Sequence, residues 1–184
     1  EQGLRADVLG TVSLIRAKLE GNINSNIQLA RGLVATLATE PDMDQARFEA
    51  LASNLLHKRS QISHVAGAPG LVVSLIHPRE GNERALGLDY RANEQQREAT
   101  LRARDTGELM LAGPVQLVQG GTGLIGRFPV FTQGTEEERS FWGIVSAVVD
   151  VERLYADSGM LDANLPVKIA ITGRDGTGAA GERF

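Results

Sequence analysis

A chain of 184 residues with net charge −4 and no block of basic residues has no surface for a nucleic-acid backbone, which needs concentrated Lys and Arg. It has no cysteine, so disulfides, zinc thiolates and cysteine nucleophiles are excluded, and it has no apolar run long enough to span a bilayer. Its length suits one domain, with or without an appended helical layer, and is enough to bury a core.

The first predicted element is a helix. Leu4, Val8, Val12, Ile15, Leu19, Ile23, Ile27, Ala30, Val34 and Leu37 recur every three or four residues, an amphipathic stripe running roughly 50 Å at 1.5 Å per residue. Gly10, Gly21 and Gly32 recur on the opposite face. They are either tolerated surface glycines or the close approach of a second helix in a dimer. Asn22, Asn24 and Asn26 predict a solvated bend. After Pro41, Asp42 or Asp44 can cap a second helix reaching about Lys58, with Phe48, Leu51, Leu55 and Leu56 inward.

Strands follow at Ile62–Ala66 and Leu71–Ile76 around a Pro69–Gly70 turn, then a polar connection from His77 to Arg84 and a short apolar run, Ala85–Asp89. Asn93 can cap a helix that stops near Gly107, and Gln96 stands at its third position, a capping-box arrangement. Two strand-like runs, Met110–Gln119 and Gly123–Phe131, are joined by a glycine-rich hairpin signal at Gly120–Gly123. Thr132–Arg139 reads as an acidic loop, Phe141–Val149 as an apolar strand, Glu152–Met160 as a short helix and Val167–Thr172 as a strand with no partner after it. The glycine-rich end, 173–184, reads as a hairpin tip or a frayed, cut end. The order of elements is α+β: a long N-terminal helix, then an antiparallel sheet crossed by a helix, the layout of a small ligand pocket.

No catalytic motif emerges. His57, His64 and His77 lack the spacing of a metal site and have no third ligand, no serine lies in a nucleophile elbow, and the acidic loops lack calcium-loop spacing. No cofactor is implied. Arg127 stands apart, because it interrupts the apolar run GLIGRFPVF. Alternation puts it with Ile125 on one face, with Leu124 and Phe128 on the other. A buried unpaired charge costs several kcal/mol, so two readings stay open. Arg127 is either an edge-strand arginine paired with a glutamate, or a clamp for a ligand carboxylate or phosphate.

Four separated motifs, G-x-D-Y at Gly87–Tyr90, R-E-x-x-L-R-A-R-x-x-G at Arg97–Gly107, the run from Ala112 to Phe131, and FWGIVSAVVD at Phe141–Asp150, resemble the CHASE domain. That family forms the extracytoplasmic sensory module of receptor histidine kinases and nucleotide cyclases. The resemblance implies a stalk helix (1–60), a membrane-distal PAS-like ligand-binding unit (61–150) and the start of a truncated membrane-proximal unit (151–184). It also implies a periplasmic or extracellular location, flanking transmembrane helices on either side, a homodimer through the N-terminal helix, and a cytoplasmic diguanylate cyclase or histidine kinase.

In cytokinin-binding members, the position matching Gln96 is an acid that reads the purine ring. The positions matching Ala112 and Arg127 are pocket threonines, Val118 a leucine that contacts ligand through its backbone, and Ile144 a tyrosine. With the acid gone and a cation present, the resemblance implies a smaller polar or anionic ligand. It would be read by Gln96 and Arg127, with Tyr90, Met110, Val118 and Ser146 as walls. Asp89, Arg97, Arg104, Pro114, Pro129, Gly143 and Asp150 also match and read as architecture, with Asp89–Arg97 a possible ion pair. The alternative to a sensor is a closed dimerisation spacer, marked by a filled interior and Arg127 paired with a protein acid.

Overall fold

The computed structural model describes residues 2–56, 60–117 and 120–173, so His57 and the end of the chain beyond Gly173 lie outside it. Helix α1 (Gln2–Thr39) is followed by α2 (Gln45–Leu55), β1 (Ile62–Pro69), β2 (Leu75–His77), a 3-10 turn (Glu83–Ala85), α3 (Glu94–Thr106), β3 (Met110–Gln116), β4 (Thr122–Phe131), β5 (Phe141–Asp150) and α4 (Val151–Asp157). The five strands form one antiparallel sheet in the order β2-β1-β5-β4-β3. The fold is α+β, as expected.

The sheet buries both faces. On one, Val65, Leu75, Leu124, Phe128, Val145 and Val149 pack against α1, α2 and α4. On the other, Ala66, Ala68, Ile76 and Ile144 pack under α3 and the 71–90 segment. This division confirms the alternation read along β4, since Leu124 and Phe128 lie opposite to Ile125 and Arg127. The helix boundaries follow local chemistry. Asp44 accepts a bond from Arg47 N to cap α2, Asn93 accepts from Gln96 N to cap α3, and Asp150 accepts from Arg153 N to cap α4. Helix α3 ends at Gly107 in the left-handed conformation, φ 70°. The glutamine of the expected capping box is turned elsewhere: its side-chain oxygen accepts from Arg127.

Several expectations are corrected. Of the strand expected at Leu71–Ile76 only Leu75 and Ile76 lie in the sheet, and the apolar run Ala85–Asp89 does not join it. After Gly70 the chain passes through Leu71 at φ 74° and leaves the sheet. The two segments then bond to each other: Val73 N to Leu88 O, Gly87 N to Val73 O, Tyr90 N to Leu71 O. Only Leu75–His77 returns to pair with β1. The result is a flap lying over the second face. Val167–Thr172 forms no strand among the described residues. Asp89 pairs with its neighbour Arg91 at 2.8 Å, not with Arg97.

Asn26 is not in a solvated bend. It is buried, donates to Gln61 Oε1 at 2.9 Å and accepts from Ser60 Oγ at 3.2 Å, while Gln61 donates to Asp157 at 2.7 Å. Asn22 donates to Ser158 on the turn after α4. These amides therefore bolt α1 to the start of β1 and to α4. The close approach at Gly32 comes from Leu55 of α2, 3.4 Å from where a Cβ would sit, within the same chain. Near the N-terminal end of α1, Leu4, Leu9, Val12 and Leu14 are exposed. No helix among the described residues is long and apolar enough to cross a membrane.

Candidate functional site

The antiparallel register brings the site together. Met110 lies opposite Arg127, Arg127 opposite Ser146, Ser146 opposite Ala66, and Ala66 opposite Ile76. This row crosses the whole sheet on the flap side. Arg127 sits next to Ser146 in this row, on β4, an inner strand hydrogen-bonded on both sides. It is therefore not an edge-strand arginine, and among the described residues it is the largest fully buried side chain, 1% exposed.

No carboxylate pairs with it. Nη1 donates to Ser146 Oγ at 2.7 Å, Nη2 donates to Gln96 Oε1 at 2.6 Å, and the guanidinium carbon lies 4.6 Å from the centroid of the Tyr90 ring. The Tyr90 and Ser146 hydroxyls share a bond of 2.9 Å. Nε–H is buried with no partner. Every polar neighbour is thus neutral, and burial pushes the guanidinium below its ordinary pKa, with Tyr90 partly restoring it. Arginine nevertheless keeps its proton in proteins. The site holds one uncompensated positive charge, softened by a ring face and two oxygen dipoles.

Beside the guanidinium lies a cavity of about 30 Å³. Its floor is the sheet: His64, Ala66, Ile125, Arg127, Ser146 and Val148. Its roof is Val73, Ala85, Leu88 and Tyr90 of the flap with Gln96 of α3. The flap is what the corrected strands became, so the misread elements build half the site. At one end, His64 and Leu117 separate the cavity from an open cleft of about 670 Å³ bordered by Asn82, Pro114, Thr122 and Tyr155.

Of the residues singled out from sequence, Arg127, Gln96, Tyr90 and Ser146 converge on the cavity. Met110, Ala112 and Ile144 share the same sheet face but do not line it; Ala112 lies opposite Ile125, and Ile144 packs in the core beneath the flap. Val118 lies outside the described residues. Sequence reading missed His64, Leu117 and the apolar lining. His64 is buried, with Ser63 Oγ 3.0 Å from its Nδ1, and burial lowers its pKa to about 4, so the ring is neutral at pH 7. Its place became evident only with the register that sets it opposite Val148. Among the described residues, no group of His, Asp and Glu could hold a metal ion.

Comparison with known proteins places this geometry. The profile of the CHASE domain matches residues 40–184. No curated protein sequence matches. An extracellular ligand-binding receptor from Desulfohalobium retbaense superimposes with a TM-score of 0.63 at 17% identity, over 78% of this chain and 26% of that one. The chain thus spans about a quarter of that receptor. The ligand-binding domain of the Pseudomonas aeruginosa amino-acid chemoreceptor PctC, solved in complex with GABA, gives 0.56 at 19% identity, over 82% of this chain and 67% of that one. The sensor domain of Escherichia coli DcuS gives 0.50 at 15% identity, over 78% and 98%. At these identities the likeness is one of fold.

Proposed function

The chain belongs to the CHASE domain family, and from that membership we propose that it binds a small anion at Arg127 and reports the binding across a membrane. CHASE domains are extracytoplasmic sensor modules, so this chain is an extracytoplasmic sensory domain and not itself a catalyst. The observation that carries the ligand reading is the unpaired guanidinium: buried, partnered only by neutral groups, with Nε–H unsatisfied beside a cavity. Leaving a buried charge uncompensated costs several kcal/mol, a cost that a negatively charged ligand would offset.

Gln96 is the only α3 residue bonded to Arg127, so a ligand competing for the guanidinium would pull on α3 and, through β4 and β5, on α1 behind the sheet. Residues 1–60 act as the stalk, 61–150 as the ligand-binding unit, and 151–184 as the start of a further unit. The exposed apolar start of α1 supplies a homodimer seam. The output is a diguanylate cyclase or histidine kinase beyond a membrane helix. Signalling requires that the ligand bind two conformations with different affinity.

The small cavity favours a second reading, a closed spacer. The missing acid at Arg127 weighs against it, because a spacer has no reason to keep a bare buried cation. Native mass spectrometry of the purified domain and of Arg127→Met tests the choice. An anionic adduct on the wild type that is lost in the variant supports the sensor. Adduct-free, superimposable spectra support the spacer.

A further inference from the structure

We infer that the site is built for a short monocarboxylate that carries no cationic group. This rests on the reading of Arg127 as an anion anchor and adds the ligand's charge, shape and body.

Charge comes first. The polar groups around the cavity are His64, Tyr90, Gln96, Arg127 and Ser146. None is an acid, so an ammonium group brought inside would be desolvated without a partner, which excludes zwitterionic amino acids. Only Arg127 is a cation at neutral pH, since His64 is buried and neutral. A dianion would keep one charge unmatched. A single negative charge balances the site.

Shape follows from the donors. Arg127 spends one hydrogen bond on Ser146 and one on Gln96, and Nε–H is left over. A planar fork with a free edge suits the two oxygens of a carboxylate. Gln96, its oxygen held by Arg127, offers its amide N–H as a further donor.

The body follows from the rest of the lining. Ala66, Val73, Ala85, Leu88, Ile125 and Val148 have aliphatic side chains. A hydroxyl or amide on the ligand's chain would find no partner there. At about 30 Å³ the enclosed space is on the scale of one or two waters, so binding requires the flap to lift slightly and favours a chain of few carbons. Leu117 and His64, the wall shared with the larger cleft, limit chain length.

The test is calorimetric titration and thermal denaturation of the domain with propionate, its neutral isostere propionamide, GABA, succinate and inorganic phosphate. Propionate should bind and raise Tm, with the other four at least about tenfold weaker, roughly 1.4 kcal/mol. Two variants remove the site in different ways. Arg127→Met deletes the cation, and Gln96→Glu neutralises it with a carboxylate already 2.6 Å away. Both should abolish propionate binding, and Gln96→Glu keeps Arg127 and its bond to position 96 in place if the first variant folds poorly. Leu117→Ala should shift the preference toward longer monocarboxylates. If GABA, succinate or phosphate binds as tightly as propionate, in an Arg127-dependent way, the monocarboxylate inference fails while the anion reading stands. If no anion binds in a manner that Gln96→Glu removes, both fail.

Discussion

Burial strips the Arg127 guanidinium of water, and in the folded domain that cost is opposed by neutral dipoles and a ring face. Replacing a buried charge by an apolar side chain of similar length is often neutral or stabilising. Arg127→Met should therefore raise the Tm of the ligand-free domain by about 2–4 °C, for about 1 kcal/mol gained in a chain of this size. Differential scanning fluorimetry decides it; a fall of several degrees would show that the arginine is structural. His64 carries a pH signature. Its folded pKa, about 4, lies below the unfolded value of 6.5. The unfolded chain thus binds a proton first, and stability present above pH 6.5 is lost as pH falls toward 4, by up to about 3 kcal/mol. Urea titrations at pH 7.5 and pH 4.5 should show that His64→Phe removes most of this slope. An equal slope in the variant would assign it to the carboxylates. Gly143 is the most constrained of the described glycines: a Cβ there would collide with the Ala68 carbonyl oxygen. Gly143→Ala should cost about 3 kcal/mol or more, read by chemical denaturation, because the β1–β5 ladder must open to admit it.

At the scale of elements, the sequence was most legible where the local signal was chemical. Asn93 and Gly107 bracket α3 because a cap and a left-handed residue are properties of one or two side chains. Strands β4 and β5 were legible from continuous apolar runs. The 71–90 segment was not. Its residues are as apolar as strand residues, but a positive φ at Leu71 turns them off the sheet, and their periodicity reflects burial under a flap. Asn26 misled for the same reason. An amide reads as solvated until its partners, Gln61 and Ser60, arrive from 35 and 34 residues away. Arg127 was legible as an anomaly, but whether an acid would meet it depended on register and on what the flap brought over it. The buried network makes a prediction at this scale. Asn26→Ala removes one buried partner each from Gln61 and Ser60 between α1 and β1 and should cost about 1–3 kcal/mol, whereas Asn24→Ala, at an exposed position, should cost little. Equal costs in thermal denaturation would mean that Asn26 acts through helix propensity alone.

At the scale of the whole molecule, one sheet separates two functions. The face toward α1, α2 and α4 is a continuous apolar core that fixes the sheet to the long helix. The opposite face carries the guanidinium, the flap and α3. A ligand on the second face can reach the first only through the sheet, and β4 and β5 touch both α1 and α3. That arrangement suits a sensor whose signal leaves along α1. The central proposal is that the Arg127 guanidinium anchors a small anion. The most direct measurement is the ¹H–¹⁵N resonance of the Arg127 Nε–H, identified by its loss in Arg127→Met and followed as sodium propionate is added, with sodium chloride as control. A saturating downfield shift of that resonance with propionate is predicted, since a buried donor without a partner gains a carboxylate. A resonance that stays fixed while others move would place the ligand elsewhere and contradict the account.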